Sequence, residues 1–118
     1  MDSIKIVTLG QVILEARQRA GLTQRQLAAC VKKEDGRNVS GVFINDIEHN
    51  YRIGSDLVLE QIAQTLNLSP DYLYHLAGKL PADIRNFRTT NEIAQRAYTK
   101  LREELARGQE LITQNNPK

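Results

Sequence analysis

A helix-start signal recurs at short intervals along this chain. Thr8, Thr23, Ser40, Ser55 and Ser69 each stand just ahead of apolar residues at helical spacing. A hydroxyl in that place accepts a hydrogen bond from a free amide of the first turn, so each marks an N-terminus. Thr8-Leu9-Gly10-Gln11 and Thr23-Gln24-Arg25-Gln26 both fit a capping box. Leu9, Val12, Ile13, Ala16 and Ala20 follow the first, and Gly21 stops that helix. Leu27, Ala28 and Val31 follow the second, so two helices stand almost end to end. Val42, Phe43, Ile44 and Ile47 follow Ser40, and Asn50 is a stop. Val58, Leu59, Ile62, Ala63 and Leu66 follow Ser55 in an amphipathic pattern. Ser69-Pro70 opens a helix holding Tyr72, Leu73 and Leu76 and closed by Gly78. The expectation is an all-α fold with five short helices between about Thr8 and Ala77.

Beyond Gly78 the texture changes. Pro81 interrupts the chain, and Asp83 to Phe87 reads as a helical turn. Thr89 with Glu92 fits a further capping box, followed by one long helix from Thr90 to about Thr113. Along it Ala94, Tyr98, Leu101, Leu105, Gly108 and Ile112 recur at alternating intervals of four and three, the spacing of a coiled-coil seam. Gly108 weakens the end of this helix, and the terminal Asn115-Asn116-Pro117-Lys118 is expected to fray. Ile4 to Val7 suits a short strand without a visible partner. The reading divides the chain into residues 1–80 and a helical extension, 81–118, that serves as a dimerisation element through Ala94, Tyr98, Leu101, Leu105 and Ile112. The competing reading of the same seam is packing against the chain's own helices.

Composition excludes several classes. A chain of 118 residues holds one compact domain with an added helix. A single cysteine, Cys30, cannot form an internal disulfide. No apolar run approaches the ~20 residues of a membrane span, and MDSIKIVTL does not read as a signal peptide. A cytoplasmic protein with no membrane association is therefore expected. His49 and His75 have no further ligands at metal spacing, and Cys30, read as a small packed residue on the second helix, has no partner base. No catalytic constellation is visible, so neither an enzyme nor a cofactor or metal is expected. The net charge of +2 is modest. It is concentrated, however: Arg17, Arg19, Arg25, Lys32, Lys33, Arg37 and Arg52 stand against Glu34, Asp35, Asp46 and Glu48.

Two short helices joined by a brief turn raise a helix-turn-helix, whose second helix enters the major groove of DNA. The stretch RQRAGLTQRQLA, Arg17 to Ala28, resembles the opening motif of the Cro/lambda-repressor-like, or Xre-type, DNA-binding domains. VFINDIEHNYR, Val42 to Arg52, is similar to the recognition helix of one branch of that family. LEQIAQTLNLSPDYLYHL, Leu59 to Leu76, resembles its fourth and fifth helices. The likeness is collinear from about Leu9 to Ile84.

That resemblance implies a five-helix lambda-repressor-like domain with a long C-terminal helix, and roles for particular residues. Gln24 would bond a backbone phosphate. Ser40, Gly41 and Val42 open the reading helix, with Asn45 and Asp46 a turn later on its groove side. Tyr51 and Arg52 would touch phosphates, and Phe43, in the place of a family tyrosine, would be partly buried. Arg17 and Glu48 occupy positions that form a structural ion pair in relatives. Gly41 and Val42 lack the long polar side chains that make paired contacts to bases, so direct readout is expected to be modest. The chain also departs from the family: Lys32 to Asn38, KKEDGRN, enlarges the turn before the reading helix. It reads either as a solvated loop or as a basic finger in which Lys32, Lys33 and Arg37 grip DNA. The implied function is a dimeric, sequence-specific transcriptional regulator of double-stranded DNA, a repressor. The alternatives are an antitoxin that masks a partner protein with its added helix, and a protein-interaction adaptor that has lost DNA binding.

Overall fold

The computed structural model describes residues 6–115. They form α1 (Leu9–Arg19), α2 (Gln24–Ala28), α3 (Gly41–Glu48), α4 (Asp56–Leu66), α5 (Pro70–Leu76), α6 (Ala82–Arg85) and α7 (Asn91–Asn115). The fold is all-α, and the chain divides into two units, one spanning Val7–Arg85 and one holding α7.

Each of the hydroxyls at the head of α1 to α5 acts as an N-cap. Thr8 accepts from Gln11 N, Thr23 from Gln26 N, Ser40 from Phe43 N, Ser55 from Val58 N and Ser69 from Tyr72 N. At Thr23 the box is complete, since Gln26 Oε1 accepts from Thr23 N at 2.9 Å. At Thr8 only half forms, because the Gln11 amide turns along the helix to Glu15 at 3.2 Å. α1 ends where Gly21 takes φ +74, and α3 where Asn50 takes φ 62. Both are left-handed conformations that glycine and asparagine adopt most readily.

The core of the first unit is shared by α1 to α5. Ile13, Leu27, Ile44, Ile47, Leu59, Ile62 and Leu73 are fully enclosed. Each such side chain contributes on the order of 1.5–3 kcal/mol of burial. The approach of α1 to α3 is very close at Gly10. A Cβ there would lie 2.4 Å from Glu48 O and 2.5 Å from Ile47 O, so a side chain is sterically excluded. Asn50 fastens the same junction, accepting from Gly10 N at 3.0 Å and donating to Thr8 Oγ1 at 3.1 Å.

The far end of this unit is fastened by charge. Asp56 pairs with Lys79 at 2.7 Å and with Arg85, whose Nε donates to Leu80 O. The Lys79 and Arg85 hydrogen bonds hold the Asp56 carboxyl below its ordinary value. These contacts lie within the unit that runs to Arg85. Tyr74, 2% exposed, donates to Glu60. Burial, reinforced by that carboxylate, pushes the Tyr74 phenol well above its ordinary value.

Several local expectations are corrected. The turn expected over Asp83 to Phe87 is α6, ending at Arg85. The residue capping α7 is Thr90, which accepts from Ile93 N at 3.2 Å, rather than Thr89. α7 runs on through Gly108 to Asn115, past the end expected near Thr113. Cys30 lies beyond the end of α2 and is exposed, because the helix closes at Ala28. Of the strand expected at Ile4 to Val7, Ile6 and Val7 are irregular, and Ile4 and Lys5 lie outside the described residues, as do Asn116 to Lys118.

Candidate nucleic-acid interface

The orientation of α3 is set by one buried carboxylate. Glu48, its side chain 1% exposed, accepts from Arg17 Nε at 2.5 Å and from the second Arg17 nitrogen at 3.1 Å. Gln24 Nε2 is a third donor to it, at 2.9 Å. Arg17 also donates to Leu22 O at 2.8 Å, closing the turn between α1 and α2. One charge thus ties together α1, the start of α2 and the end of α3. A buried ion pair is tolerable only when its remaining donors and acceptors are satisfied in this way.

Gln24 reaches further, donating its second amide proton to Asn45 Oδ1 at 3.1 Å. Both protons of this amide are therefore engaged inside the protein. The phosphate contact that the resemblance implies for its side chain requires giving up one of them. At the other end of α3, Gly41 packs against the first turn of α2, where a Cβ would lie 3.7 Å from Arg25 Cα. That is ordinary contact, so glycine is not sterically demanded there.

The outward face of α3 is open. Ser40 is exposed and Val42 is 70% exposed. Asn45 and Asp46 are half-buried. Phe43 is half-buried against the core. The segment after the helix folds back onto it, with Tyr51 N donating to Asp46 O at 2.8 Å. Arg52 lies over the Phe43 ring, 4.5 Å from its centroid, and 3.5 Å from the Asp46 carboxylate. Tyr51, 80% exposed, stacks with His49 at 6.0 Å.

The enlarged turn is an ordered hairpin. Val31 and Val39 are buried at its base, and Val39 N donates to Val31 O at 3.0 Å. Above them Lys32 bridges Asn38, and Lys33 N donates to Arg37 O at 2.8 Å. Glu34, Asp35 and Gly36 make the tip, with Gly36 at φ +85 and its N–H donating to Lys33 O. This is a three-residue hairpin turn closed by a left-handed glycine. The Asn38 amide donates to Ala28 O, Ala29 O and Val31 O, capping the end of α2. Side chains alternate across a strand, so Lys33 and Arg37 share the face opposite Asn38, and Lys32 lies on the Asn38 side. The expected basic trio thus resolves into a pair and a separate lysine. Arg37 is only loosely engaged with Asp35, at 3.9 Å.

Gln61 and Asn38, which brace the hairpin, carry no local sequence signal. Gln61 bonds both backbone groups of Lys32, far away in the chain. Gly10 reads as an ordinary helix glycine for the same reason: its constraint comes from α3. In the second unit the seam positions Tyr98, Leu101 and Leu105 are exposed, and Ala94 and Ile112 are half-buried. Among the described residues no cluster of three potential metal ligands exists, and no helix is long and apolar enough to cross a membrane.

No curated protein and no solved structure matches the chain. A helix-turn-helix family model matches residues 13–73, from the middle of α1 into α5 and across the hairpin. With half of the chain covered by that model and α2 and α3 joined as described, this protein belongs to the Cro/lambda-repressor-like (Xre-type) helix-turn-helix family of DNA-binding regulators.

Proposed function

We propose that this chain is a sequence-specific, dimeric repressor that places α3 in the major groove of its operator and blocks a promoter. The observation that carries the reading is the pairing of a fixed back with an open front on α3. Glu48 anchors the helix from behind through Arg17 and Gln24, while Ser40 and Val42 face outward. A helix that reads bases needs this rigidity, because contacts to base edges tolerate little displacement.

In this reading Ser40, Gly41, Val42, Asn45 and Asp46 meet the groove, and Val42 packs on a thymine methyl. Tyr51 and the hairpin cations Lys32, Lys33 and Arg37 would meet phosphates, and Gln24 would join them only by releasing Glu48 or Asn45. The dimer forms through α7, whose exposed Tyr98, Leu101 and Leu105 continue the seam of Ala94 and Ile112. An apolar stripe spaced by four and three is what two helices bury against each other.

Selection of bound sites from random duplexes, combined with a salt titration, tests the proposal. The expected product is a two-fold symmetric site with half-sites about 34 Å apart. Affinity should fall steeply as salt rises. Absence of duplex binding at low salt would overturn the reading and leave a protein-interaction adaptor on the same fold.

A further inference from the structure

Arg52 is held in an unusual way for a residue that the family resemblance assigns to phosphate. Its guanidinium carbon lies 4.5 Å from the centre of the Phe43 ring, and its terminal nitrogen lies 3.5 Å from Asp46 Oδ2. Phe43 and Asp46 are three apart on α3 and so lie on neighbouring parts of one face. Arg52 comes from the segment beyond the helix, fastened by Tyr51 N to Asp46 O at 2.8 Å. Its side chain remains 49% exposed. The result is a guanidinium with a fixed position along α3 and with donors still open.

Two considerations decide what those donors suit. A phosphate approaching Arg52 would also approach the Asp46 carboxylate, and like charges repel. The Arg52–Asp46 pair is neutral as a unit, so it offers a phosphate little net attraction. A guanine edge presents two uncharged acceptors, O6 and N7, whose spacing matches two guanidinium donors. An arginine already held by an aromatic ring and a carboxylate also loses less freedom on binding than a free one. Gly41 and Val42 contribute no long donor of their own at the head of the helix.

We propose that Arg52, positioned by Phe43 and Asp46, reads a guanine in the major groove and is the main source of sequence discrimination in each half-site. The proposal rests on α3 being the helix that enters the groove. Phe43 and Asp46 are positioning residues: the ring sets the plane and the carboxylate sets the reach.

The test compares sites selected from random duplexes by the full chain and by its Arg52→Lys, Arg52→Ala and Phe43→Leu variants. The unaltered chain should select a guanine at one position per half-site. Arg52→Lys keeps the charge but not the two-donor fork, so it should lose that guanine while keeping its neighbours and its salt dependence. Arg52→Ala should lose the same guanine and, because it leaves the Asp46 carboxylate unpaired, should also weaken all duplexes; Phe43→Leu should weaken the preference at that position alone. Replacing the selected guanine by 7-deazaguanine should weaken binding of the unaltered chain about tenfold and leave Arg52→Ala unaffected. Equal weakening of all duplexes by Arg52→Ala, with an unchanged preference, would overturn the proposal and make Arg52 a phosphate ligand. Failure of the unaltered chain to select any sequence would overturn the groove-reading function as well, which separates the two failures.

Discussion

Gln61 of α4 grips the backbone of Lys32 from both sides: its Nε2 donates to Lys32 O at 2.7 Å and its Oε1 accepts from Lys32 N at 2.9 Å. The side chain thereby stands in for a neighbouring strand. Val31 and Val39 hold the hairpin from below, and Gln61 holds it from the side. Gln61→Ala should free both backbone groups, costing about 1–2 kcal/mol because water only partly replaces the two hydrogen bonds. Amide exchange at Lys32 and Lys33 should accelerate well beyond that in α4. Unchanged exchange at these two amides would show that the valines alone hold the hairpin.

The hairpin cations make separable predictions for DNA binding. Every phosphate that a cation no longer neutralises reduces the slope of log affinity against log salt by about 0.9. Lys33→Ala with Arg37→Ala should lower the slope by nearly two such steps and weaken all duplexes alike. Lys32→Ala, on the other face, should change it less. Equal effects of all three would show that the hairpin presents them together.

Gly10→Ala tests the junction of α1 and α3. The added methyl would fall 2.4 Å from the Glu48 carbonyl oxygen, and backbone cannot swing aside as a side chain can. Either α1 shifts or the end of α3 does. A loss of roughly 1–3 kcal/mol is expected, the usual cost of overpacking. The midpoint of denaturant unfolding measures it. Because the same carbonyls lie next to Asn50, the variant should also weaken DNA binding beyond its effect on stability.

Acid should act on the α4 junction. The Asp56 carboxyl is held below its ordinary value of 3.8 by hydrogen bonds from Lys79 and Arg85. Its contribution is therefore fully present at neutral pH, persists down to about 3.8, and is lost as pH falls through the lower folded value. Asp56→Asn should melt earlier than the unaltered chain at neutral pH, and the two curves should converge as the pH drops below that point. Parallel curves throughout would show that the ion pairs contribute nothing to stability.

Helix boundaries were legible in the chain because caps are local. Thr23 and Gln26 satisfy each other's backbone within one turn, whatever the rest of the molecule does. The same locality left a choice at Thr89 and Thr90, where either hydroxyl fits the pattern and the geometry selects the second. The sequence likewise marked Arg17 and Glu48, through family likeness, as two charges that meet.

The helical period, the turns closed by Gly21, Asn50 and Gly78, and the family can all be read from the chain alone. These depend on contacts within a few residues or on motifs read in order. Folding, by contrast, is what leaves no room for a side chain at Gly10, commits the Gln24 amide to Glu48 and Asn45, and pairs Lys33 with Arg37 in the hairpin. It alone placed Arg52 over Phe43. Each of these depends on partners brought close by folding, so the free energy that fixes them exists only once the core has brought the helices together.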